Sequence, residues 1–344
     1  MIFIDGIIFS LQKSGGISVY FDELLKRLNE GDEHVTHLLY ENNNSYTENQ
    51  CTNKKIKFNI SLERFLKVNV VGCKNDIFHS SYYRLPVAKF QGKIITTVHD
   101  FTEELYPRGI ISKILHLQKR NAILKSDGLI CISENTKKDM HKFIPESINI
   151  PTKVIYNGVG DFACDNELGA YNPYVVFVGA RNGYKNFRMC TEALVSIDDI
   201  NLVAVGGGQF TAEELCMLNE IIPGRFSHAG FVSEKELEGL YQKALALVYP
   251  SYYEGFGIPV IEAMKSGCPV IASRSSSVEE ISADAAILIN DITAIKIRDA
   301  IIELRNNKAR MDRIISGLEN SKNFSWNKMA IETLCFYNSI RGEK

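Results

Sequence analysis

At 344 residues the chain exceeds the size at which a single hydrophobic core keeps growing, so two domains of ordinary size are expected. Its 45% hydrophobic and 23% charged residues describe a folded globular protein, and a net charge of -2 with no basic, aromatic-studded stretch argues against a dedicated nucleic-acid binder. Eight cysteines stand singly, with no CxxC or metal-like Cys/His spacing, as buried thiols of a reduced cytoplasmic protein would.

Taken in chain order, Met1 to Phe9 is apolar but interrupted by Asp5, and no basic segment precedes it. It reads as a first β-strand rather than a signal peptide. Gly15 and Gly16 open a helix whose apolar stripe is Val19, Leu24, Leu25 and Leu28. Further strands are predicted at His34–Tyr40, Asp76–Ser81, Lys93–Asp100, Gly128–Ser133 and Lys153–Gly158, with a helix over 110–125. Glu41 to Lys55 is polar and Asn-rich and reads as a loop. Periodicity is lost between Asp161 and Pro173, which places a hinge there. A second series of strands follows at Tyr174–Gly179, Asn201–Gly207, Phe226–Phe231, Ala244–Pro250, Pro269–Ser273 and Ala285–Asn290. Asn323 to Ile340, with the only tryptophan, Trp326, reads as a final helix. The alternation of strands and helices predicts two α/β domains with parallel sheets facing across a cleft. No run of about 18 apolar residues exists, so no membrane span is expected.

The chemistry concentrates between Tyr249 and Ser273. Glu254 falls in the loop at the carboxyl end of a buried strand, where open α/β sheets collect ligands. Pro259 suits the first turn of the next helix, Glu262 lies about one turn into it, and Gly267 ends it. Gly255, Phe256 and Gly257 bring backbone amides close to whatever binds, because glycine leaves no side chain in the way. Upstream, Arg181 and Lys185 follow another strand and precede a helix start near Asn186, which makes them either diphosphate ligands or solvated basic residues.

Glu254, Gly255, Phe256, Gly257, Pro259, Glu262, Ala263 and Gly267 together resemble the Glu-x7-Glu signature of the retaining glycosyltransferases of family 4, sometimes called group 1. The resemblance implies the GT-B fold: two Rossmann-like, doubly wound domains facing across a cleft. It places an acceptor-side domain at 1–162, a nucleotide-sugar domain at 163–325 and a helix crossing back at 326–344. By resemblance, Glu262 holds the ribose diol, Glu254 attends the donor sugar, Arg181 and Lys185 take the phosphates, and Gly15 and Gly16 close over the diphosphate. His99 matches a position that contacts the sugar near the acceptor hydroxyl, and His79 and Asp100 are acceptor-side candidates. Ser276, Ser277 and Glu280 resemble a segment neighbouring the donor. No Asp-x-Asp motif lies at a plausible site, so no metal and no cofactor is expected, the nucleoside diphosphate sugar being a co-substrate.

The implied reaction moves a hexosyl group, mannose-like and GDP- or UDP-linked, to a saccharide hydroxyl with retention, in bacterial surface polysaccharide assembly (O-antigen, lipopolysaccharide or capsule). Two other readings stay open: a GT-B nucleotide-sugar epimerase, and a catalytically silent nucleotide-sugar-binding module. The basic residues Lys54, Lys55, Lys57, Arg64, Lys67, Lys113, Lys119, Arg120 and Lys125 are either a solvated face or a contact with an anionic membrane carrying a lipid-linked acceptor. The expected location is the cytoplasm, at the inner face of the plasma membrane.

Overall fold

The computed structural model describes residues 1–12, 15–31, 33–40, 51–53, 60–164, 171–181 and 183–342. Ser14, the polar run at 41–50 and 54–55, Lys57 and residues 165–170 of the expected hinge lie outside these. The chain forms two compact units, Met1–Gly158 with Trp326–Lys344, and Val159–Ser325.

The first unit carries seven parallel strands: β1 (Ile2–Asp5), β2 (Val35–Leu39), β3 (Cys51–Asn53), β4 (Ile77–Ser80), β5 (Lys93–Val98), β6 (Gly128–Cys131) and β7 (Thr152–Val154), in the order β3-β2-β1-β4-β5-β6-β7. The second carries six, β8 (Tyr174–Val178), β9 (Asn201–Val205), β10 (Phe226–Gly230), β11 (Ala246–Tyr249), β12 (Val270–Ser273) and β13 (Ile287–Ile289), in the order β10-β9-β8-β11-β12-β13. Inner strands such as β6 and β11 are buried at every residue, which is why they read as continuous apolar runs rather than alternating ones. The strand β3 corrects one expectation: Cys51–Asn53 pairs in parallel with β2 at the sheet edge, inside a stretch whose composition reads as loop. Edge strands have one partner and need little apolar surface, so composition alone does not reveal them.

Helix α1 (Gly16–Glu30) packs on the last helix, α2 (Trp326–Arg341), within the first unit. The attachment is polar as well as apolar. The Tyr337 hydroxyl meets His79 Nδ1 at 2.5 Å, Arg27 Nε donates to Asn327 at 2.5 Å, and Arg341 pairs with Glu33 at 3.4 Å. In the second unit a core cluster packs on one face of the sheet and includes Phe177, Phe187, Leu202, Val248 and Ile301.

Candidate active site

In each sheet the chain leaves the first central strand in one direction and the fourth in the other, so a crevice opens at their carboxyl ends. In the second sheet those strands are β8 and β11. Gly179 (φ 116°), Ala180 and Arg181 follow β8, and a single 3-10 turn, Gly183–Lys185, leads to the short helix Phe187–Glu192. Pro250 to Gly257 follows β11. Two bonds stitch the loops: Asn186 Nδ2 donates to the Pro250 carbonyl at 2.8 Å, and the Tyr252 N–H to the Tyr184 carbonyl at 2.9 Å. Lys185 and Glu254 therefore meet, Nζ to Oε1 2.5 Å, with side chains 14% and 12% exposed. The Lys185 ammonium also lies 5.4 Å from the centre of the Tyr249 ring and 5.5 Å from that of Tyr184. Burial first, and then the Glu254 charge, push the Tyr249 phenol well above its ordinary value.

The glutamate loop is held from behind by serines. The Glu254 N–H donates to Ser276 Oγ at 2.9 Å, and Ser277 Oγ donates to the carbonyls of Glu254 and Phe256 at 2.8 Å each. Ser273 and Ser275 both donate to the Ser251 carbonyl. Ser276 takes φ 48° to present its hydroxyl, an uncommon conformation for a residue with a Cβ. Gly257 stands at φ 106° just before helix α3 (Ile258–Lys265), and only glycine adopts that turn without strain. The Phe256 ring is buried edge-on to Phe324 at 5.8 Å, so this residue meets a ligand only through its backbone.

On α3, Glu262 accepts a hydrogen bond from the Tyr241 hydroxyl at 3.2 Å. Burial pushes its carboxyl up to about 7, and the Glu234 charge adds to the rise. With one donor on it, the carboxylate keeps lone pairs that can accept further hydroxyls.

Arg181 requires a correction. It does not stand as an open phosphate cation. Its side chain is 3% exposed and pairs with Glu214 at 2.9 Å, and it donates to the carbonyls of Gly206, Gly208 and Gln209 at 2.8, 2.9 and 2.9 Å. Gly206, Gly207 and Gly208 all have positive φ, which turns their carbonyls onto the guanidinium. Glu214 also accepts from the Thr211 N–H at 2.8 Å, closing the capping box of the helix Ala212–Ile221. Arg181 thus locks one glycine loop to one helix start. Lys185 is left as the cation beside Glu254.

In the first unit, His99 follows β5 and is 5% exposed, with the rings of Tyr20 and Phe21 edge-on at 5.3 and 6.1 Å. Burial lowers its pKa to about 4, so it is neutral at physiological pH, and among the described residues its Nε2 has no hydrogen-bond partner. His79 is different, and the acceptor-side expectation for it fails. It is fully buried, with Nδ1 on Tyr337 and Nε2 on Thr97 at 2.8 Å, so both ring nitrogens are spent on structure. Asp100 accepts from the Thr102 N–H at 2.8 Å, and its carbonyl takes Lys119 Nζ at 2.9 Å. Gly15 precedes α1 in extended geometry, and its carbonyl accepts from Ser18 Oγ at 2.8 Å.

At the switch point of the first sheet, between β1 and β4, stands a cluster that motif reading does not single out. Arg84 Nη1 lies 3.3 Å from Asp5, Arg84 Nη2 lies 3.2 Å from Glu63, and the Tyr40 hydroxyl donates to Asp5 at 2.8 Å. All four residues are buried. Only the strand-end Asp5 carries a sequence signal. Among the described residues no group of three or more His, Cys, Asp or Glu side chains is placed to hold a metal ion.

Comparison with known proteins supplies the family. Residues 14–161 match the model for Glycosyltransferase Family 4, and residues 165–320 match that for Glycosyl transferases group 1. The chain is 31% identical over 252 residues to the O-antigen chain mannosyltransferase RfbU of Salmonella typhimurium, covering 68% of this chain and 69% of that one. The chain belongs to glycosyltransferase family 4. An uncharacterized glycosyltransferase of Methanocaldococcus jannaschii is 28% identical over 352 residues, 95% of either chain. Among solved structures, sucrose-phosphate synthase of Thermosynechococcus elongatus superposes with a TM-score of 0.80 at 18% identity, covering 99% of both chains, which fits the GT-B fold of the family.

Proposed function

We propose that this glycosyltransferase moves a hexosyl group, mannose-like, from a nucleoside diphosphate sugar to a saccharide hydroxyl with retention of configuration, in surface polysaccharide assembly. The observation that carries this reading is the meeting of Lys185 and Glu254 at the switch point, with Glu262 on the helix that follows. Mannosyl transfer to an O-antigen chain is drawn from the printed name of the Salmonella relative.

In this reading Glu262 accepts the two ribose hydroxyls, a function acidic residues perform in other doubly wound folds. Lys185 leaves Glu254 for the donor phosphates and offsets the charge that grows on the leaving group. Glu254, released, accepts from the sugar hydroxyls and faces the positive charge developing at the anomeric carbon. The bond from that carbon to the phosphate oxygen breaks, the acceptor oxygen bonds on the same face, and the departing phosphate takes the acceptor's proton. Neutral His99 receives a hydroxyl on Nε2 and so orients the sugar or acceptor. Gly255, Phe256 and Gly257 contribute backbone, Gly15 and Gly16 line the diphosphate, and Asp100 turns the chain beside His99. Arg181 acts indirectly, by holding the loop after β9 to the start of the helix Ala212–Ile221. Lys185 supplies the positive charge, so the scheme calls on no metal and no cofactor.

The test is a thermal-shift screen against GDP- and UDP-linked hexoses, followed by transfer assays with the donor that stabilises the protein. Glu254→Gln is expected to keep donor affinity within a few-fold and to lose at least a hundredfold in transfer. Donor binding with no turnover in the native protein would instead indicate a binding module. A new hexose epimer released without acceptor would indicate an epimerase.

A further inference from the structure

Strand β11 ends on Tyr249, one residue after Val248 of the core cluster, so its side chain points to the opposite face of the sheet. It is 3% exposed, in a strand whose other residues are Ala, Leu and Val. A phenol in such a place needs a partner, because a buried hydroxyl left unbonded is costly. Its partner is Glu254, to whose carboxylate the Tyr249 hydroxyl donates. Burial and the Glu254 charge keep the phenol protonated, so it remains a donor. The centre of the same ring lies 5.4 Å from the Lys185 ammonium, which is itself 2.5 Å from Glu254 Oε1.

Of these three residues only Tyr249 belongs to the sheet. It pairs with Ala272 of β12, whereas Lys185 ends a 3-10 turn and Glu254 lies in the loop after β11. A side chain on a paired strand is held more precisely than one on a loop. Ser276 and Ser277 fasten the Glu254 backbone, but those bonds do not touch its carboxylate. In the reaction scheme Lys185 departs for the donor phosphates. A carboxylate only 12% exposed then keeps its orientation through a donor that does not move.

We propose that Tyr249 is a positioning residue for glycosyl transfer: its hydroxyl holds the Glu254 carboxylate in place while Lys185 moves to the donor phosphates. This deepens the glycosyltransferase reading, on which it rests, by giving two loop residues a fixed post on the sheet. Glu262 has a buried tyrosine of its own, Tyr241 at 3.2 Å, which serves as the control.

The test compares the native chain with Tyr249→Phe, which keeps the ring and deletes the hydroxyl. In transfer assays the variant is expected to lose about tenfold in kcat, with donor KM within about twofold. In a Glu254→Gln background the same change is expected to cost less than about threefold, since no carboxylate is left to hold. Tyr241→Phe is expected to raise donor KM about fivefold and to leave kcat nearly unchanged. A second comparison needs no turnover. In urea unfolding, Tyr249→Phe is expected to raise the unfolding constant about tenfold more in Lys185→Ala protein than in native protein, because Glu254 there depends on the hydroxyl. Native kcat in Tyr249→Phe, a loss carried by KM alone, or the full tenfold loss on top of Glu254→Gln would overturn the positioning role. So would an equal kcat loss in Tyr241→Phe, or an equal unfolding cost with and without Lys185. Absence of transfer by the native chain from every GDP- and UDP-linked hexose would count against the glycosyltransferase reading instead, and the unfolding comparison would still decide whether the hydroxyl supports Glu254.

Discussion

The two sheets follow the same strand order around their switch points and place opposite kinds of polar chemistry there. Between β8 and β11 stands a single lysine–glutamate pair, partly open, supported on aromatic rings and a serine-held loop. Between β1 and β4 stands Arg84 closed between Asp5 and Glu63, with every side chain buried. The first arrangement can exchange partners, because each member has access to something other than its mate. The second cannot, and its burial raises the Asp5 carboxyl above its ordinary value even with Arg84 and Tyr40 beside it. Fold topology supplies the crevice twice. Solvent access separates a site that can react from a brace.

The comparison breaks first at the brace. Arg84→Ala would leave two carboxylates buried against one tyrosine and is expected to cost about 3–5 kcal/mol in urea unfolding, while the folded fraction still binds the donor nucleotide. Loss of nucleotide binding in protein shown to be folded would mean that the cluster belongs to the site. Lys185→Ala inverts the pattern: about 3 kcal/mol is expected from the transition state, a hundredfold or more in kcat/KM, with a far smaller change in stability.

Glu262 sharpens the comparison through pH. Its folded value of about 7 lies above the ordinary 4.5, so across that window the folded state holds a proton that the unfolded state has lost. Stability therefore falls as pH rises from 4.5 to 7 and then levels. Glu262→Gln removes this dependence and is expected to stabilise the empty protein at pH 8 by up to about 3 kcal/mol, while weakening donor binding about tenfold. A variant less stable than the native chain at pH 8 would contradict the burial argument. The smallest effect concerns the serine support. Ser277→Ala deletes the one hydroxyl donor shared by the Glu254 and Phe256 carbonyls and is expected to cost about 1 kcal/mol, with a several-fold loss of kcat through a looser Glu254 loop.

What could be read from the residues divides along the same physical line. Strands β8 to β13 and helix α3, with Gly257, Pro259 and Gly267 at its ends, are legible because burial on two faces and turn conformation constrain local sequence. The pairing of Lys185 with Glu254 was approachable, since each follows a strand adjacent to the switch point. The commitment of Arg181 was not, because its partners include backbone carbonyls of Gly206, Gly208 and Gln209, whose orientation depends on positive φ rather than on residue type alone. His79 and His99 look alike as strand-end histidines. They differ because Tyr337, far along the chain, reaches one and not the other. The exposed Ile110, Ile114 and Leu117 of the helix Ile110–Leu124 show the reverse failure: an apolar pattern alone does not say which residues point at the core.

The bond between His79 and Tyr337 also bears on how the protein is made. The helix that completes the first unit is translated after the whole of the second. A nascent chain that has emerged through Gly158 thus carries a strand whose central histidine awaits a partner still to be synthesised. The second unit is continuous and can close on its own as it leaves the ribosome, so the unit begun first is finished last.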